Sequence, residues 1–288
     1  MPARRRMTVR DFAQLLRTAA ADWRADYASS MGAALSYYAV FSVTPLLLIL
    51  VSIAGLVYGA DAARGELFEQ LRGMMGDAAA GALQGLLANA HKPGQGIIAA
   101  TVGLLVLLAG ASSVFGELQS ALDRIWRVPQ TAGGVRLLLR NRLKAFGLIL
   151  GAGALLLLSL VASAALEIVT TWWSGWFGGW EGAAKALNAA LSFVLVAVLF
   201  AMIYKLLPRV RIAWSDVRIG AIVTALLFTI GKHLIALYLG RTGVTSPFGA
   251  AGSLVAVLVW VYYSAQIFLY GAEFTWAYAH RFGSLRKT

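Results

Sequence analysis

Residues 228–240 read FTIGKHLIALYLG and set Lys232 beside His233 in an otherwise apolar run. An ammonium in such surroundings can face a water-filled recess and attract an anionic group. It can instead be satisfied by backbone carbonyls, or snorkel along its own stem towards water. His233 is turned by ~100° from its neighbour on a helix, and a hydrogen-bonded packing role suits it better than a proton relay. Two carboxylates join Lys232 as binding candidates. Gly96, Gly103 and Gly110 recur every seven residues, and the same step reaches Glu117, which should therefore point into a bundle rather than at lipid. Glu273 lies in the last apolar run.

No enzymatic constellation accompanies these residues. His91, His233 and His280 are scattered, and without an HExxH pattern no metal centre is expected. The stretch GAGA at 151–154 lacks the preceding strand and full spacing of a dinucleotide fingerprint. Neither a Walker lysine nor a GxSxG elbow occurs. The absence of cysteine removes thiolate ligands, disulfides and cysteine nucleophiles. The expectation is a non-enzymatic protein without a cofactor.

The elements that position these side chains follow from composition. Hydrophobic residues make up 59% of the 288 positions and charged residues 13%, against ~45–50% and ~25% in soluble domains. So few charges cannot cover a water-soluble protein of this length, so long apolar stretches must be solvated by lipid. The basic start has its first long apolar run only near residue 31, which predicts no cleaved signal. A bilayer core needs ~20 apolar residues in a helix. Six segments qualify, at about 32–58, 95–114, 143–169, 186–207, 217–239 and 249–279. Pro45 sits within the first and predicts a kink or hinge. Ser246 and Pro247 suit the N-cap and first turn of the sixth.

Charge sets the orientation. The arm before residue 31, the 115–144 and 205–218 connections and the tail beyond 280 together hold 19 lysines and arginines, against five on the opposite side. This asymmetry places both ends in the cytoplasm. It also accounts for the net charge of +12: basic residues spread along one membrane face suit anionic lipid headgroups. Nucleic acid would call for a concentrated basic patch with aromatics, so none is expected as a partner. The domain scheme is a basic amphipathic arm at 1–30, a membrane domain at 31–280 and a short tail at 281–288.

Shorter patterns fill in the rest. Phe12, Leu15, Leu16, Ala19, Trp23 and Tyr27 share one face of the arm, and Arg10, Arg17 and Arg24 another, which predicts a helix lying in the interface. SVFGELQSALDRIWRV repeats that scheme after the second span, with Asp123 placed to pair with Arg127. Residues 62–90 read as one or two amphipathic helices capping the bundle, and TWWSGWFGGW at 171–180 as an aromatic belt. Gly147 and Gly151 form a GxxxG packing step in the third span. Depth separates the charged candidates. Lys232 is about eight residues, ~12 Å, from the outer end of its span, whereas Glu273 is ~36 Å into a span that starts outside.

Several stretches together resemble the YihY/BrkB membrane proteins: AALSYYAVFSVTPLLLIL, FGELQSALDRIW, LLPRVRIAWSDVRIGA, GKHLIALYLG and SLVAVLVWVYYSAQIFLYGAEF. The likeness covers about residues 28–280. Matching positions include Tyr37, Ser42, Pro45, Trp126, Pro208, Trp214, Gly220, Lys232, Tyr238, Trp260, Gly271 and Glu273, and Asp123 stands where many relatives have asparagine. The resemblance implies a six-span bacterial inner-membrane protein and adds Tyr37, Ser42 and Tyr238 to the substrate-binding candidates. One label carried by members, ribonuclease BN, conflicts with the missing catalytic groups. The leading expectation is a transporter or flippase-like permease for an anionic or amphiphilic solute, such as an envelope lipid. The alternative is a non-transporting, envelope-organising or partner-binding protein. Oligomeric state, homo-oligomers included, is left open.

Overall fold

The computed structural model describes residues 8–58, 60–90, 97–129, 180–242 and 251–286, with scattered positions between 143 and 158. The described residues are helical and include no strand. In chain order the helices are α1 (Val9–Ala25), α2 (Ala28–Tyr58), α3 (Ala60–Met75), α4 (Asp77–Ala90), α5 (Ile97–Ile125), α6 (Trp180–Leu206), α7 (Trp214–Thr242) and α8 (Gly252–Arg281). Three described stretches are long and apolar enough to cross a bilayer: Ala186–Leu206, Trp214–Leu239 and Gly252–Arg281. They coincide with the last three spans expected from sequence. The first falls within α2 and the second, from residue 97 on, within α5, and helix runs unbroken through Pro45. Most of the 143–169 span, the Ser246–Pro247 cap and nearly all of the tryptophan-rich run lie outside the described residues.

Exposure along these helices has the pattern of a lipid-solvated protein. On α7, Trp214, Ile222, Leu226, Ile230, Leu234 and Tyr238 form a ridge at four-residue steps, each about half exposed, with exposed Arg218 in the same series. The ridge winds slowly around the helix because four residues slightly exceed one turn. Its aromatic ends are ~36 Å apart at ~1.5 Å per residue, the separation of two interfacial belts.

The chain forms two compact units. The first comprises residues 1–22, 122–227 and 271–288. Its core includes Leu15, Ala19, Leu122, Ile125, Tyr204, Ile212, Val217 and Phe274. α1 starts with a capping box: the Asp11 N–H donates to Thr8 Oγ1 at 3.3 Å and the Thr8 N–H to Asp11 Oδ2 at 3.0 Å. The helix lies on α8 through the edge-to-face pair Phe12–Phe274, while Arg281 reaches Asp11 at 3.8 Å and donates to Gln14 at 2.6 Å. The helix expected in the interface is present, and part of its apolar face packs within the protein. That part, at Leu15 and Ala19, is consumed by protein contacts, because α8 carries an aromatic and a cation at the matching spacing. Arg10, Arg17 and Arg24 are exposed.

The second unit comprises residues 23–121 and 228–270. Its core joins Val40 and Leu47 of α2, Met75 at the end of α3, Ala79, Ala80 and Leu83 of α4, Ile235 and Leu239 of α7, and Val257 of α8. The 62–90 stretch resolves into two helices with one residue, Gly76, between them. The amphipathic stretch around residues 113–125 is not a separate helix. It continues α5 without a break, since nothing between Ile97 and Ile125 interrupts helix formation.

Candidate functional site

Lys232 is half-buried on α7, and its Nζ donates to the Gly73 carbonyl at 3.2 Å. The geometry of the α3 terminus accounts for this partner. The last carbonyls of a helix have no N–H within it, and the C-terminal end carries partial negative charge. Gly76 sits just past the end in the left-handed region, φ +82°, and its N–H closes on the Arg72 carbonyl at 2.9 Å. That turn satisfies Arg72, and the lysine satisfies the next carbonyl along. Gly76 is required for a second reason: a Cβ there would approach the Ala236 Cβ to 2.7 Å. Ala236 follows Lys232 by one turn, so a single face of α7 supplies both the cation and the seat for the α3–α4 elbow. Arg72 itself bonds Asp77 and pairs with Glu69 at 3.6 Å. Asp77 first, then Glu69, raises its pKa above the ordinary guanidinium value.

The other candidates of the second unit have distinct surroundings. Ser42 is buried; its hydroxyl donates to the Ala39 carbonyl at 3.0 Å, and its Cβ would be 3.1 Å from a Cβ placed on Gly110. Tyr37 is exposed and stands edge-on to Tyr38 and Phe41, with centroids 5.5 and 5.0 Å away. Tyr238 ends the exposed ridge of α7. Glu117 is half-buried, and His233 is exposed. Gly103 lies in α5 at a position whose surroundings are not described, and Gly96 lies outside the described residues.

In the first unit Glu273 is buried, 1% exposed, on a stretch of α8 whose residues 271–275 are all covered. α7 and α8 cross here through two matched G-x-x-x-T steps. A Cβ on Gly220 would run into the Thr275 side chain, and one on Gly271 would run into Thr224 Oγ1 and come within 2.7 Å of the Tyr204 hydroxyl. Each threonine donates to the carbonyl of the glycine in its own helix, Thr224 to Gly220 at 2.8 Å and Thr275 to Gly271 at 2.6 Å. A hydroxyl has one proton, so Tyr204 is the donor in its 3.0 Å contact with Thr224. In the third expected span, a Cβ on Gly151 would meet the tip of Met202, while one on Gly147 would meet nothing within 4 Å.

Around this crossing, buried carboxylates hold connecting segments in place. Asp123 accepts the backbone N–H of Arg209 at 2.9 Å and pairs with its Nε at 3.2 Å. Lys205 fixes the same loop by donating to the Ile212 carbonyl, with Nζ 5.4 Å from the Trp214 ring centroid. Arg127 adopts φ 51° in a C-terminal turn of α5, stacks on Trp276 at 4.2 Å and reaches Asp22 at 4.0 Å. Asp216, in the first turn of α7, accepts the N–H and hydroxyl of Ser284 at 2.9 and 2.7 Å. Sequence reading did not single out Asp216, Tyr204 or the two threonines. The G-x-x-x-T repeats at 220–224 and 271–275 were the signal that could have found the threonines. Among the described residues no group of three or more His, Asp or Glu side chains could hold a metal ion.

Residues 19–288 match the family described as Virulence factor BrkB. The chain belongs to that family. It is 26% identical over 256 residues to a UPF0761 membrane protein of Pseudomonas aeruginosa, covering 86% of this chain and 58% of that protein. A UPF0761 membrane protein of Verminephrobacter eiseniae is 28% identical over 260 residues, 88% of this chain and 59% of that one. A UPF0761 membrane protein of Tolumonas auensis is 33% identical over 72 residues, 25% of this chain and 24% of the relative. This BrkB-family chain thus spans less than two thirds of the length of these relatives. No solved structure matches it. Membrane location agrees with both the relatives' names and the apolar helices.

Proposed function

We propose that this chain is a non-enzymatic, six-span inner-membrane permease of flippase-like character, with both ends in the cytoplasm and an anionic or amphiphilic solute as cargo. The observation that supports the reading is the Lys232 ammonium inside a bilayer-length helix, held at 3.2 Å by a neutral carbonyl. Among the described residues no carboxylate pairs with it. A carboxylate or phosphate on the cargo binds an ammonium more strongly than a peptide carbonyl does, because the hydrogen bond then joins two full charges. Capture would exchange Gly73 for the anion and loosen the α3–α4 elbow from its seat at Ala236. Lys232 thereby serves as receptor and latch together.

A second reading has its own support. Lys232 ties down a helix end, and a protein whose elbow never leaves α7 would organise the envelope or bind a partner without moving solute. Flux of anionic amphiphiles in vesicles reconstituted with the chain separates the two. On the permease reading Lys232→Met abolishes flux and Lys232→Arg keeps part of it. Unchanged flux in Lys232→Met, with a lowered unfolding temperature, would leave only the structural role.

A further inference from the structure

We infer that the first unit carries a binding surface for anionic phospholipid headgroups, built by turning its carboxylates inward and its arginines outward. Asp11, Asp123, Asp216 and Glu273 are buried, and the Asp22 side chain keeps only 22% exposure. Arg10, Arg17, Arg211, Arg218 and Arg286 are exposed, and among the described residues no ion pair engages them. Asp11, Asp123 and Asp216 thus bind helix ends and loops, and none of them pairs with these five arginines.

The arginines share one end of the unit. The bonds Arg281–Asp11, Arg127–Asp22, Asp123–Arg209 and Asp216–Ser284 tie together α1, the end of α5, the α6–α7 loop and the end of α8. Apolar surface begins immediately beside them. Arg218 lies between Trp214 and Ile222 in the exposed α7 ridge, and Leu206 is exposed at the end of α6. Guanidinium and indole bordering an aliphatic stripe reproduce the order of phosphate, interface and acyl chain across a leaflet. RNA or a soluble acidic protein would match the charge but leave the aliphatic border unpartnered. Arginine also binds phosphate oxygens through two parallel N–H groups, which a lysine cannot do.

The inference rests on membrane location and is independent of transport. The test is lipid retention by the purified full chain in nanodiscs of phosphatidylcholine with or without phosphatidylglycerol. Phosphatidylglycerol should be enriched around the protein, raise its unfolding temperature and lose its hold as salt increases. Each arginine at the surface contributes about fivefold in lipid partitioning. Arg211→Gln with Arg218→Gln should therefore remove most of the preference, whereas the lysine double variant keeps part of it and Arg241→Gln, in the last turn of α7 and at the opposite end of that helix from Arg218, leaves it intact. Equal enrichment in the glutamine double variant would overturn the proposal. Stabilisation reproduced by inorganic phosphate alone would reassign the surface to a free anion, and tighter binding of a single-stranded RNA would reassign it to nucleic acid.

Discussion

At the residue scale, the crossing of α7 and α8 depends on two absent side chains. Gly271→Val forces a branched group into Thr224 and the Tyr204 hydroxyl, none of which can retreat within a buried layer. Overpacking of this kind costs ~1–3 kcal/mol, so the variant should unfold at a clearly lower temperature in detergent or fail to accumulate. Tyr204→Phe removes one donor but leaves the Thr224–Gly220 bond intact. Its expected loss is about 1 kcal/mol, measured as a shift in the same unfolding curve. Arg127 offers an opposite test, because a left-handed φ disfavours residues with a Cβ. Arg127→Gly and Arg127→Ala both lose the Trp276 stack, yet the glycine variant should be the more stable by about 1 kcal/mol.

At the scale of elements, the α3–α4 elbow turns on one position. Gly76→Ala meets both an unfavourable φ and the Ala236 side chain. Amide exchange across 60–90 should accelerate in that variant, and more than it does in Lys232→Met, which removes a single hydrogen bond. The tail is held in a comparable way. Asp216→Ala takes away the acceptor for both the N–H and the hydroxyl of Ser284 and should expose residues 282–286 to proteolysis without altering α8. Much of this architecture could be read from the chain, for definite reasons. Apolar runs of bilayer length located α6, α7 and α8, because a soluble core has no need of twenty apolar residues in a row. The α1 helix was readable from its period, but its packing was not: amphipathicity reports a buried face without saying whether lipid or protein buries it. Lys232 was visible as an anomaly of type and place. Its partner is a backbone carbonyl, which has no signature in sequence, so geometry alone could name Gly73.

At the scale of the whole molecule, the chain without cysteine provides its own topology assay. Single cysteines at Arg10 or Arg286 should react with a membrane-impermeant maleimide only after the cytoplasmic side is opened, and one at Asp77 should react from outside intact cells. The reverse pattern would invert the proposed threading. Arginine counts carry that expected threading but say nothing of the burial of the acids, because a carboxylate reads the same in sequence whether it faces water or accepts a loop. The joint between α7 and α8 limits how such a protein can work. Each threonine proton is already committed within its own helix, so the contacts of Gly220 with Thr275 and of Gly271 with Thr224 rest on fit. Ionic strength offers no handle on those uncharged contacts, and at this layer the two helix segments should stay locked together.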